Sequence, residues 1–217
     1  YMVSVIFSDN PRSNAMKIGE EYGIPVVEHD IKLFYQSKGK PITDMGVREE
    51  FDGWTVESLG RFDVDVVAYA GYMKVVTQPL MDAFLGVNVH PADLSLTGVD
   101  GVRKYRGAHA VKDALVAGER EIRSTTHIVE SEVDGGRILM VSPPVRVDLP
   151  MGFDLGNKKG VEHIAERYQD RLKEVGDWVV FPKTLEYMAD GKFLQDEETG
   201  ELYFDDKPIP KGYRLGG

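Results

Sequence analysis

The sequence has 217 residues, 42% of them hydrophobic and 29% charged, with 23 glycines, 11 prolines and no cysteine. These fractions fit one globular domain that buries a core of its own and exclude both collagen-like repetition and a disordered polyampholyte. The lack of cysteine removes disulfides, thiolate metal sites and thiol nucleophiles together. With 26 basic against 36 acidic side chains the formal charge is −10, which works against a sequence-independent grip on nucleic acid, because that affinity comes mostly from basic side chains on phosphates. No apolar run approaches the roughly 20 residues of a membrane helix; the best candidate, Val64 to Val76, is interrupted by Asp65 and Lys74. The N-terminus lacks the charged, apolar and small-residue order of a signal peptide. A soluble cytoplasmic protein is expected, monomer or homodimer, with no nucleic-acid or membrane partner.

In chain order, Tyr1 to Phe7 reads as a short strand closed by Ser8-Asp9-Asn10-Pro11. Asn14 to Tyr22 has helical content, and Gly23 followed by Pro25 stops it. Val26-Val27 reads as another short strand, residues 30 to 56 are polar and mixed, and Val47 to Leu59 suits a helix. Val64 to Ala70 is apolar nearly throughout, as strands covered on both faces of a parallel sheet are. Thr77 to Phe84 suits a helix, Val87 to Val89 a buried strand ending at His90-Pro91, and Ala108 to Ala117 a helix stopped by Gly118. Two strands, Ser124 to Glu130 and Arg137 to Val147, join through Asp134-Gly135-Gly136. Val161 to Val180 is the longest helical segment, and Phe193 to Phe204 reads as a hairpin about Glu198-Thr199-Gly200. No internal repeat or interdomain linker is visible, so the chain is expected to be one domain over 1–217.

Alternating strands and helices argue for an α/β fold, a Rossmann-like mostly parallel sheet flanked by helices, with a C-terminal hairpin. Ligands on such sheets bind beyond the carboxyl ends of the strands, where Gly71 to Lys74 and Asn88 to Pro91 stand. Asn88 and His90 alternate along one strand end, so both side chains point the same way. An amide donor beside an imidazole suits a developing oxyanion, although Asn-x-His alone is more often purely structural. Asp134 lies in a turn whose glycines allow unusual backbone angles; it is a turn-former, or a carboxylate that raises the pKa of His90 and orients its ring. The five histidines are scattered without the spacing of a metal site, so no metal is expected. No phosphate-binding or dinucleotide glycine pattern occurs.

The stretches AGYMKVV (Ala70 to Val76), VNVHPADLS (Val87 to Ser95), YRGAHAVKDAL (Tyr105 to Leu115), STTHIVESEVDGG (Ser124 to Gly136) and DDKPIPKGY (Asp205 to Tyr213) follow one another in a distinctive order. In this the chain resembles the folate-dependent formyltransferases, particularly those of purine synthesis. The resemblance implies attack by a small-molecule primary amine, glycinamide ribonucleotide first among them, on the formyl carbonyl of 10-formyltetrahydrofolate, the co-substrate. It implies Asn88 as oxyanion donor, a protonated His90 stabilising the same charge, and Asp134 holding that imidazolium. It places the pterin against the backbone of Met73, Lys74, Val75 and Val76 and of the loop with Val129, Glu132 and Val133. Met73, Val75 and Val76 also read as core. His127 matches a family histidine near the site and reads as a packed structural residue.

Several features depart from the family pattern. A glycine-rich phosphate loop and its strand normally precede the segment matching Tyr1, so a first βα unit is expected to be missing, on the order of 30 residues, and a gap is expected beside the Val3 to Phe7 strand. The loop Leu96 to Arg106 is longer than usual and adds Arg103, Lys104 and Arg106, with Arg103 and Arg106 candidates for binding an anionic substrate. Asp177 stands where the purine enzymes carry an acid that meets the acceptor amine, and Glu174 stands near a phosphate-facing position. Alternatives are hydrolysis of the formylfolate, another amine acceptor including methionyl-tRNA, and a non-catalytic folate-binding homologue.

Overall fold

The computed structural model describes residues 1–216. The chain forms two compact units, one made of Tyr1–Val67 and Met73–Gly86, the other of Ala68–Tyr72 and the residues from Val87 onward.

The first unit holds β1 (Ile6–Ser8), α1 (Ala15–Tyr22), β2 (Val26–Glu28), α2 (Ile31–Ser37), α3 (Met45–Leu59) and α4 (Gln78–Ala83). β1 and β2 pair in parallel, Ile6 opposite Val26 and Ser8 opposite Glu28, as a two-stranded sheet of their own. The strand expected over Tyr1 to Phe7 is therefore shorter and begins at Ile6. α1 ends as expected: Gly23 takes φ 66, a left-handed angle that glycine adopts without a Cβ penalty. α2 was not expected, because only Ile31 and Tyr35 of its residues are buried and the rest reads as a polar loop. Its start is set by Asp30, whose carboxylate accepts the amides of Lys32 and Leu33. Ile31 and Tyr35 pack with Val47 and Phe51 of α3, and Phe7 and Phe34 cover the cluster.

α3 also buries charge. Arg48 and Asp52, one turn apart, form an ion pair at 2.5 Å, with side chains 4% and 0% exposed. Arg48 Nε donates to the Val75 carbonyl at 2.9 Å, and Asp52 Oδ2 accepts both the amide (2.8 Å) and the hydroxyl (2.7 Å) of Thr77. Buried ions persist only when such additional hydrogen bonds satisfy them. The pair thereby fixes the peptide on both sides of Val76 and the start of α4, for which Thr77 is the N-terminal cap.

The remaining elements are β3 (Val66–Tyr69), β4 (Leu85–His90), α5 (Ala110–Val116), β5 (Glu121–Ile122), β6 (Thr125–Ile128), β7 (Ile138–Val141), β8 (Val145–Arg146), α6 (Lys158–Leu172), α7 (Trp178–Ala189), β9 (Phe193–Gln195), β10 (Leu202–Phe204), β11 (Lys207–Pro208) and β12 (Tyr213–Arg214). A five-stranded sheet runs in the order β12-β7-β6-β4-β3. The architecture is α/β, Rossmann-like and flanked by helices, with the expected C-terminal hairpin (β9 and β10) extended by β11. Within the sheet β12 runs parallel to β7, while the β6–β7 hairpin and the β4–β6 pair are antiparallel. Every residue of β6 and β7 is buried, so these strands are covered on both faces. The single strand expected over Arg137 to Val147 is broken after Val141 by Ser142-Pro143-Pro144, since a proline cannot donate to a ladder.

The long helix expected over Val161 to Val180 is two helices joined by a π turn, Lys173–Asp177. A Cβ on Gly176 would collide with the Ser124 hydroxyl, so the helix approaches the start of β6 closely there; Pro182 lies farther on, inside α7. Among the described residues no helix is long and apolar enough to cross a membrane.

The loop that follows His90 is pinned to β6. The Thr125 hydroxyl donates to the Ala92 carbonyl at 2.6 Å and accepts the Leu94 amide at 3.1 Å. Thr125→Val keeps the shape and strands both backbone groups in the core, so a loss of about 1–3 kcal/mol is expected, read as a fall in Tm of roughly 2–4 °C per kcal/mol. An unchanged melting curve would show that the hydroxyl does not hold this loop.

Candidate functional site

Asn88 and His90 project from the same side of β4, as their alternation requires. Antiparallel register places Asn88 opposite His127 and His90 opposite Thr125 of β6. The turn after β6 then brings Asp134 back over the strand ends. That return depends on Gly136, where a Cβ would run into the Ile128 carbonyl oxygen, and on Asp134 itself adopting φ 52, a left-handed angle that Asp tolerates better than most residues.

The three side chains expected to carry the chemistry converge in the second unit, and His127 joins them. His90 Nδ1 lies 3.4 Å from Asp134 Oδ2, and His127 Nε2 lies 3.6 Å from Asp134 Oδ1. His90 Nε2 is 2.8 Å from the Tyr105 carbonyl. His127 Nδ1 is 2.9 Å from the Ile128 carbonyl, and its Nε2 is 3.3 Å from the Asn88 amide nitrogen. Carbonyl oxygens only accept, so these partners assign the protons. His90 donates through Nε2. His127 donates through Nδ1, which leaves its Nε2 lone pair to accept one N–H of Asn88. The Asn88 amide is thereby oriented, with its second N–H directed elsewhere. His127 is buried as expected of a packed residue, but its task is also polar. The signal that could have shown this is its place opposite Asn88 across an antiparallel pair.

Burial pushes the Asp134 carboxyl up, but its neighbours His127 and His90 and the Gly107 amide, which donates to Oδ2 at 2.8 Å, outweigh it and hold the group down at about 2. The carboxylate is thus ionised throughout the neutral range. For His90 the balance goes the other way. Burial lowers its pKa, the Asp134 charge and the Tyr105 carbonyl raise it, and His127 and Arg103 lower it, leaving it below its ordinary value. The Nδ1 of the neutral ring faces an acceptor, which makes it the place where an arriving proton would be held.

Of the other expected site residues, Val129 is half-buried, and Glu132 and Val133 are exposed on the same turn as Asp134. Met73, Lys74 and Val75 are exposed and Val76 half-buried in the first unit, so Met73 and Val75 are not core. Arg103 and Arg106 face inward contacts: Arg103 Nη1 donates to the Asp134 carbonyl and Arg106 Nη1 to Glu132, each at 2.6 Å. Lys104 lies 3.9 Å from Glu119. Asp177 sits in the π turn with Oδ1 buried and unpartnered; burial pushes its carboxyl up against the pull of Ser124 and Lys173. No hydrogen bond or ion pair among the described residues joins it to Asn88, His90 or Asp134. A π turn is nevertheless a frequent mark of a functional position. No group of three or more His, Cys, Asp or Glu among the described residues is placed to hold a metal ion.

A half-buried amide donor, a buried imidazole and an ionised carboxylate in one constellation can stabilise an oxyanion and hold a proton beside it. His90 takes up the amine's proton as a neutral ring, so kcat/KM falls on the acid side as the ring is protonated beforehand. Asp134 raises the His90 pKa, so Asp134→Asn is expected to move that limb to lower pH. A pH profile with an unmoved limb would detach His90 from this carboxylate.

Comparison with known proteins gives consistent matches. The formyl transferase family profile matches residues 2–148. A trifunctional purine biosynthetic protein (adenosine-3) of Drosophila melanogaster is 31% identical over 90% of this chain, which spans only 12% of that much longer protein. The phosphoribosylglycinamide formyltransferase of Haemophilus influenzae is 27% identical over 76% of this chain and 68% of its own length. A solved structure of the phosphoribosylglycinamide formyltransferase of Coxiella burnetii superposes with a TM-score of 0.65 over 99% of this chain and 86% of the other, at 16% identity, a likeness of fold alone.

Proposed function

We propose that this chain, which belongs to the formyl transferase family, transfers a formyl group from 10-formyltetrahydrofolate to a primary amine, with glycinamide ribonucleotide as the acceptor. The observation that carries this reading is the convergence of Asn88, His90 and Asp134, with the Asn88 amide oriented by His127 so that one N–H remains for a ligand.

The formylfolate supplies an activated one-carbon carbonyl. When an amine nitrogen bonds to the formyl carbon, the carbonyl electron pair moves onto oxygen and the nitrogen becomes positive. The spare N–H of Asn88 stabilises that oxygen. His90 reaches the same charge by exchanging the Tyr105 carbonyl for it as the acceptor of Nε2–H, and the proton given up by the nitrogen is held at Nδ1 against Asp134. The carboxylate remains ionised and stabilises the resulting imidazolium. Returning a proton to the folate nitrogen as its bond to the formyl carbon breaks completes the transfer, with no net gain or loss of charge on the residues.

Glu132 and Val133 are exposed on the turn that carries Asp134, and backbone N–H and C=O groups are among the polar groups that orient a bound small molecule. The reaction is proposed to take place in the cytoplasm.

The direct assay is formyl loss from 10-formyltetrahydrofolate with and without glycinamide ribonucleotide. Loss that depends on the ribonucleotide, with formylated product, supports the reading. Loss without it would make the protein a hydrolase, and no loss at all would make it a binder. Asn88→Ala is expected to lower turnover roughly 100- to 1000-fold, as removal of one oxyanion donor does, with little change in thermal stability. Near-wild-type turnover in that variant would remove Asn88 from the mechanism.

A further inference from the structure

The longer loop that contributes Arg103 has a task at the site that its exposure to anions does not explain. We propose that Arg103 is a positioning residue for Asp134, holding the backbone of the turn so that the carboxylate stays aimed at His90. The proposal rests on the transfer reading above.

Asp134 needs such a hold. Its φ of 52 lies in a region where a non-glycine residue is strained and persists only when its surroundings over-determine it. Two groups of one loop supply this from opposite sides of the residue. Arg103 Nη1 donates to the Asp134 carbonyl at 2.6 Å, and the Gly107 amide donates to the Asp134 carboxylate at 2.8 Å. The same loop takes Glu132 of the turn through Arg106. A guanidinium on a carbonyl is a charge-assisted bond, stronger than one between neutral groups.

The donor itself is fixed. Arg103 bridges Thr97 in a short antiparallel pairing, with Gly98 N–H on the Val102 carbonyl at 2.8 Å and Lys104 N–H on the Leu96 carbonyl at 3.0 Å. At the tip, Asp100 accepts the Val102 amide and Gly101 takes φ 77. The loop is therefore a small hairpin, and its residues beyond Leu96 present Arg103 to the turn rather than to solvent. The peptide continues through Tyr105, whose carbonyl holds His90, to Gly107. One segment, 103–107, thus sets both members of the His90–Asp134 pair.

The charged groups facing His90 are Asp134, His127 and Arg103, and those facing Arg103 are Arg106, Glu132, Glu130 and Asp134. They give the test a sign. As a mere neighbouring cation Arg103 disfavours the imidazolium, so its removal would raise the His90 pKa. As a positioning residue its removal lets the carboxylate, which weighs more on His90 than the guanidinium does, drift away, and the pKa falls.

The experiment uses the whole chain as wild type, Arg103→Met and Arg103→Lys, with His90 followed by NMR through a pH titration without substrate and kcat and KM measured alongside. For Arg103→Met a lower His90 midpoint is expected, with kcat reduced roughly 10- to 100-fold and KM for the formyl donor within about twofold, as misplacement of a reacting group produces. Arg103→Lys, which keeps a donor and the charge, is expected to restore much of the loss. An unmoved or raised His90 midpoint in Arg103→Met would overturn the proposal. Should that variant fail to fold, Arg103→Gln, which also lacks the charge, is titrated in its place: a lowered His90 midpoint with reduced kcat supports the proposal, and an unmoved or raised midpoint overturns it. If the wild type shows no formyl transfer, the transfer reading fails alone, and the direction of the His90 shift still decides the role of Arg103.

Discussion

One buried carboxylate organises this site. Asp134 is 8% exposed and ionised, a combination that costs several kcal/mol unless the ion is paired and hydrogen-bonded. The amide of Gly107 donates to it, and the imidazoles of His90 and His127 lie 3.4 and 3.6 Å away. Because each partner comes from a different part of the chain (β4, β6 and the loop before α5), satisfying the charge also brings those parts together. The polar constellation is both a structural knot and the source of its chemistry.

The two histidines share the carboxylate unequally. His127 is tied through Nδ1 to its own neighbour's carbonyl and through Nε2 to Asn88. His90 has an acceptor at each nitrogen, the Tyr105 carbonyl and Asp134. Geometry therefore favours a second proton on His90 while burial opposes it, and its pKa lies below the ordinary value. A group balanced in this way changes charge in response to a small perturbation, such as an oxyanion forming beside it, which is the property proton transfer requires.

Much of this was legible in the sequence where the physics is local. Asn88 and His90 share a face because strands have a period of two, and Gly23 and Gly118 mark helix ends because left-handed angles suit glycine. Asp134-Gly135-Gly136 announced a turn with room for an unusual backbone, and the resemblance of five ordered stretches pointed to the family. What stayed hidden depends on partners distant in the chain. α2 has too few buried residues to show a helical stripe, and its cap, Asp30, is one polar residue among many. The ion pair of Arg48 and Asp52 reads as an ordinary charged helix face until Val75 and Thr77 are placed against it. The π turn at Lys173–Asp177 follows from the approach of Gly176 to Ser124, about 50 residues away along the sequence. His127 and Arg103 gained their polar roles only from cross-strand register and loop closure.

The orientation of Asn88 is the point on which the chemistry turns, and it is set by which nitrogen of His127 carries the proton. Long-range 15N–1H correlation of the imidazoles at neutral pH reads this directly. The expected result is a neutral His127 protonated at Nδ1, its Nε2 resonance showing an accepted hydrogen bond, beside a His90 protonated at Nε2. A His127 protonated at Nε2 would contradict it, because the Asn88 amide would then have to present its carbonyl to that ring, and the oxyanion donor would no longer be held as described.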